Sequence, residues 1–310
     1  MQDDEPTRRP TGHNGRIMDW LTEPFEPTFM RTALAAALLA VVVCSLVGTW
    51  VVLRGLAFIG DALAHGVIPG VALAQLWGVS VVLGGFVAAL VMAGGISLVN
   101  RRTRVGDDAA IGLLFVGMLA LGVIIVSASS SRDLTTLLFG SVLGVDPADV
   151  WLLAGAVVVV ALALALFHRP LLSVTFNHDK AASLGMRPGL THAVLMVLVA
   201  LAVVVSFGAV GTLMVFALIV APPATAALFA RRVPTVMAGA VAVGWVAGVS
   251  GLLISYHFDT AAGASIAAVS VGLFFVGMIV RDTRSALARR RLATVGEVAA
   301  APAGIPGGHH

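Results

Sequence analysis

Polar residues thin out after Pro27 and do not return in strength until Arg281. Between these points, apolar runs of about 20 residues follow one another, divided by short breaks that hold arginine, glycine or proline. A run of that length in lipid has to satisfy its backbone hydrogen bonds within itself, which only a helix does. The pattern therefore predicts helices over Thr28–Leu53, Gly55–Trp77, Gly78–Asn100, Asp108–Ser129, Val150–Phe167, Leu190–Ala209, Gly211–Ala230, Val233–Ser255 and Ala262–Val280. Leu134–Val145 is apolar but too brief to span, and reads as interfacial or re-entrant. The expected fold class is an all-α polytopic membrane protein with about 8–9 transmembrane helices. A polar N-terminal extension (1–27) precedes the membrane domain (28–281), and a cytoplasmic tail expected to be disordered (282–310) follows it.

Composition agrees with the pattern. Apolar residues make up 59% of the 310 and charged ones 11%, and the mean hydropathy is +1.00. A soluble domain carries about a quarter charged residues, so this chain lacks the charge to solvate a globular surface. The net charge of +3 does not point to nucleic acid, because the basic residues sit between apolar runs without interleaved aromatics. Residues 1–27 do not read as a secretory signal, since the run that follows is too long and lacks a cleavage pattern. Cys44 is the only cysteine, which excludes an internal disulfide and a thiolate cage. The terminal His309-His310 reads either as a metal-scavenging tail or as an inert remnant.

The loop charges set an orientation. Alternate connections hold Arg54; Arg101, Arg102 and Arg104; Arg169, Lys180 and Arg187; Arg231 and Arg232; and Arg281, Arg284, Arg289, Arg290 and Arg291. The opposite set holds only Arg132. The positive-inside rule puts the first set, and with it the C-terminus, in the cytoplasm. Nine spans would leave the N-terminus outside, against Arg8, Arg9, Arg16 and Arg31, so one segment is open to a re-entrant reading.

Ionisable residues inside spans carry the chemistry, because hydrocarbon penalises them. Asp107 and Asp108 suit helix caps, and Asp146, Asp149 and Asp259 belong to loops or their edges. Asp61 and His65 lie within Gly55–Trp77, roughly 10 and 16 Å beyond Arg54 by helical rise. Their i, i+4 spacing turns a carboxylate and an imidazole to one side, half of a divalent-metal site suited to Mn²⁺ or Zn²⁺. Two copies across a dimer axis would supply four ligands and two negative charges. The same spacing also fits a buried pair that only ties helices together, or a proton relay. Pro222-Pro223 interrupts Gly211–Ala230, as a pathway feature or a packing kink. In the connection Arg169–Gly189, Asn177 or Asp179 suits the cap of a short helix through Ala181 that ends at Gly185. No phosphate-binding glycine loop or paired nucleophile and base is seen, so the chain does not read as an enzyme.

Several strings, in order, resemble the membrane permease of manganese/zinc/iron ABC transporters that work with a cluster A-type solute-binding protein. They are Leu53-Arg54-Gly55 leading to Gly60-Asp61-Ala62-Leu63-Ala64-His65, Asp108 to Gly112, Leu138-Phe139-Gly140, Phe176 to Gly185, Val210-Gly211-Thr212-Leu213 with Ala221 to Ala226, and Ser255-Tyr256 with Ala262-Gly263-Ala264. The resemblance implies a type II ABC importer-like permease in the bacterial inner membrane, acting as a homodimer around a central pathway. It implies that Asp61 and His65 contact the transported Mn²⁺ or Zn²⁺, with no permanently bound cofactor. It also implies that Phe176, Asp179, Ala181 and Gly185 belong to a coupling helix docking on a cytoplasmic ATP-binding cassette ATPase, and that an extracytoplasmic protein delivers the metal. Asn177 stands where the family has an acid soon after the phenylalanine, and Pro222 takes the position of the family's usual single proline. The rival readings are a permease for a metal chelate such as a siderophore or haem, a secondary metal/proton carrier, and a purely structural membrane subunit.

Overall fold

The computed structural model describes residues 27–103, 106–128, 145–176 and 188–300. Every regular element among them is a helix: α1 (Thr28–Leu53), α2 (Ala57–Gly66), α3 (Ile68–Trp77), α4 (Val81–Arg102), α5 (Asp107–Ala128), α6 (Pro147–Leu166), α7 (His168–Phe176), α8 (Pro188–Val210), α9 (Thr212–Ala227), α10 (Val233–Phe258) and α11 (Ala262–Ala300). Eight stretches are long and apolar enough to cross a membrane, with α2 and α3 together making one of them. The chain is a multi-pass membrane protein. The segment that falls short is α9, whose 16 residues reach about 24 Å against a hydrocarbon core of about 30 Å.

α1 is the hub of the bundle, packed by α2, α6, α8, α9 and α10. Its core side is built from small residues, Ala33, Ala36, Ala37, Ala40 and Gly48 among them, with Trp50 wholly enclosed near the end. Lipid tails are as apolar as leucine, so helices in a membrane gain by close contact more than by water exclusion. Small residues permit that contact. Gly70 on α3 and Gly84 on α4 each face the other's backbone, and a Cβ on either would collide with it. Gly48 backs onto the Ile219 carbonyl of α9 in the same way. That carbonyl has no i+4 donor, because Pro223 carries no N–H.

Several element boundaries differ from the sequence expectation. The Gly55–Trp77 segment is one span, Ala57–Trp77, that starts two residues later; it is divided into α2 and α3 only by Val67, whose dihedrals stay helical, with Pro69 in the first turn of α3 offering no N–H to the preceding turn. α5 begins at Asp107: the Gly106 carbonyl accepts the first bonds, from Ala109 and Ala110, so both aspartates fall in the first turn. The connection after α6 is not open from Arg169, because α7 resumes at His168 with Pro170 near its start, where a missing N–H does no harm. Asp146 and Asp149 do form a reciprocal cap on α6, with the Asp146 amide donating to Asp149 Oδ2 at 3.2 Å. The last helix runs on to Ala300, past the boundary drawn at Arg281. Residues 134–144 and 177–187, and with them the re-entrant stretch and most of the coupling segment, lie outside the described residues.

Candidate metal site

α2 starts afresh because Gly55, at φ 70°, closes α1 before it; it leads through Val67 into α3, where Pro69 withholds one N–H. Ile59, Gly60, Ala62, Leu63, Ala64 and Gly66 face inward. Gly60 rests on the Ile219 side chain of α9, and Gly66 on Met92 of α4. The opposite side carries Phe58, 66% exposed, then Asp61 and His65. These positions recur at three and four residues, so they form one stripe.

His65 Nε2 and Asp61 Oδ1 stand 3.5 Å apart. That is long for an N–H···O hydrogen bond, which prefers about 2.7–3.2 Å. It suits a shared cation: metal–ligand bonds of about 2.1 Å to both atoms 3.5 Å apart subtend about 110° at the ion, near tetrahedral and within reach of looser geometries. Phe115 of α5 meets the imidazole edge-on, ring centroids 5.6 Å apart and planes at 72°, which limits the ring's swing. The other ring nitrogen, Nδ1, is buried without a hydrogen-bond partner among the described residues. The pair is only partly covered, with side-chain exposures of 24% for His65 and 34% for Asp61. No third histidine, cysteine, aspartate or glutamate joins them among the described residues. One chain therefore presents one carboxylate and one imidazole on an open face.

The other candidate residues are placed elsewhere. Pro222 is buried one turn below Ile219, beside Gly244 of α10. Phe176 ends α7, while Asp179, Ala181 and Gly185 lie outside the described residues. Two features had a sequence signal that the reading passed over. Pro69 stands four residues after His65 and leaves its carbonyl without the usual N–H donor; Phe115 stands three residues after Gly112 in α5.

A bundle of membrane-length helices that holds a carboxylate and an imidazole inside an apolar span defines a polytopic membrane protein of the transport class. The sequence model of the ABC 3 transport family matches residues 26–281, and the chain belongs to that family. It is 35% identical over 264 residues to the manganese transport system membrane protein MntC of Halalkalibacterium halodurans, covering 84% of this chain and 90% of that one. The manganese import system permease protein ScaB of Streptococcus gordonii is 36% identical over 263 residues, covering 84% and 95%. Among solved structures, PsaBC from Streptococcus pneumoniae in complex with Fab superposes with a TM-score of 0.77 at 33% identity, covering 84% of this chain and 95% of that one.

Proposed function

We propose that the chain is the transmembrane subunit of an ATP-driven importer of a divalent transition metal, Mn²⁺ foremost, and that two copies form the pathway. The observation that carries this is the Asp61–His65 pair, 3.5 Å apart on an open face with no further ligand beside it. One copy supplies one negative charge and two donors. Two copies supply four donors and two charges, which neutralise a divalent ion and hold it without a closed cage. Partial coverage suits transit, since an ion that must leave again is served by modest affinity. A mixed oxygen and nitrogen set accepts Mn²⁺ and Zn²⁺ alike. The manganese names of MntC and ScaB favour Mn²⁺. In this reading a separate cytoplasmic ATPase docks on the segment that begins at Phe176, and an extracytoplasmic binding protein delivers the ion.

The test is uptake of radiolabelled Mn²⁺ and Zn²⁺ into proteoliposomes containing this chain, its ATPase and its binding protein. ATP-dependent Mn²⁺ uptake is expected, and it should fall to background in Asp61→Ala and His65→Ala while assembly of the complex persists. Normal uptake in both variants would remove the site assignment. Wild-type uptake of Zn²⁺ alone would replace the metal. Uptake of neither ion would turn the reading towards a metal chelate.

A further inference from the structure

The cytoplasmic end of α1 carries a second, short helix. Trp50 and Arg54 lie one turn apart on α1, and both reach α7. The His168 ring stands edge-on to Trp50, centroids 5.8 Å apart and planes at 75°. Two turns further along α7, Thr175 Oγ1 accepts a hydrogen bond from Arg54 Nε at 3.0 Å. The threonine's own proton goes to the Leu171 carbonyl at 2.6 Å, which leaves its lone pairs for the guanidinium. Leu171, between the two contacts, is wholly buried. α7 is thus held along the end of α1 at both of its ends.

Arg54 is also the corner from which α2 springs. The Gly55 amide donates to the Val52 carbonyl and the Leu56 amide to the Val51 carbonyl, each at 3.0 Å. With Gly55 at φ 70° this closes α1 by a Schellman motif. The Leu56 carbonyl then accepts from the Ile59 amide and begins α2. No slack separates Arg54 from α2, in whose second turn Asp61 stands. Val67 keeps helical dihedrals, φ -73° and ψ -28°, so α2 continues into α3 and a displacement at Arg54 is passed along the helix that bears Asp61 and His65. The Arg54 side chain is not saturated: Nη2 is buried and has no hydrogen-bond partner among the described residues. A buried donor left unpaired is costly, so a shift of α7 that offers it an acceptor is favoured once something drives that shift.

We propose that Arg54 is a positioning residue that links movement of α7 to the Asp61–His65 pair, with Thr175 as its counterpart. This rests on the importer reading above, in which the chain just beyond α7 meets the ATPase. The metal is touched by neither residue. Their task is to keep the ATPase-facing helix and the ligand-bearing helix in step, so that hydrolysis moves the ion.

The experiment compares Thr175→Val with Thr175→Ser and Arg54→Gln in the reconstituted complex, measuring assembled complex, basal ATP hydrolysis, and Mn²⁺ moved per ATP. Valine keeps the shape and removes the acceptor; serine keeps the acceptor. Thr175→Val is expected to lower Mn²⁺ moved per ATP about tenfold, with assembly and basal hydrolysis within about twofold of wild type. Thr175→Ser should retain coupling, and Arg54→Gln combined with Thr175→Val should be no worse than either alone. Full coupling in Thr175→Val, or equal loss in Thr175→Ser, would overturn the link. Absence of Mn²⁺ transport by the wild-type complex would instead overturn the importer reading on which it stands.

Discussion

An aspartate held inside a span costs about 3 kcal/mol on the insertion scale unless something offsets its charge. His65 gives only partial relief to Asp61 at 3.5 Å. Asp61→Asn separates the two explanations of the pair, because it keeps the shape and the hydrogen-bonding capacity but removes the charge. A helix tie would survive that change. A metal ligand would not, and Mn²⁺ uptake is expected to drop at least tenfold with thermal stability in detergent unchanged or raised. Normal uptake in Asp61→Asn would make the pair a tie. Gly211 poses a different residue-scale question. Its backbone, φ 79° and ψ 163°, lies in a region almost closed to side chains. Gly211→Ala is expected to cost about 1–3 kcal/mol, read as a lower unfolding temperature; an unchanged temperature would mean the turn can relax.

The helices themselves differ in how legible they were. The long apolar run Thr28–Leu53 is legible to the residue, because a span has one way to satisfy its backbone, and most of the others to within about three residues at each end. Gly55–Trp77 reads as one span and is one, Ala57–Trp77, with Pro69 recording the single missing N–H inside it. The short element is the one that is not legible. α7 read as loop because nine residues are too few for a periodic pattern to stand out. The missing N–H has a testable consequence. Pro69→Ala supplies the N–H missing opposite the His65 carbonyl, at a position whose backbone is already helical. Stability should hold or rise by up to about 1 kcal/mol, while Mn²⁺ uptake falls several-fold because the His65 turn is stiffened. Wild-type uptake in Pro69→Ala would show that the missing N–H is incidental.

In the importer reading proposed above, each copy offers half a site. α1, the α2–α3 pair and α8 are mostly enclosed, while α4, α5, α6, α10 and α11 present most of their surface outward. The Asp61–His65 stripe opens on an uncovered side rather than into the core. A symmetric pair closes such an opening with the same residues from both copies. Co-reconstituting wild type and His65→Ala in equal amounts tests this. If the ion needs both histidines and copies mix at random, uptake should fall to about a quarter of the all-wild-type level. A fall only to about half would mean that each copy works alone.

Sequence by itself determined what lipid and chemistry impose locally: the long spans, the sparse charge, the basic loops, and the carboxylate and imidazole one turn apart. Each of these follows from neighbours along the chain. Tertiary structure decided what depends on distant residues. It set Phe115 against His65, seated Gly60 on Ile219, turned the ligand stripe to an open face, and joined Arg54 to Thr175 across 121 positions. Helix packing in a membrane is chosen by close steric fit among many similar apolar surfaces, and no local pattern in the chain distinguishes one such fit from another.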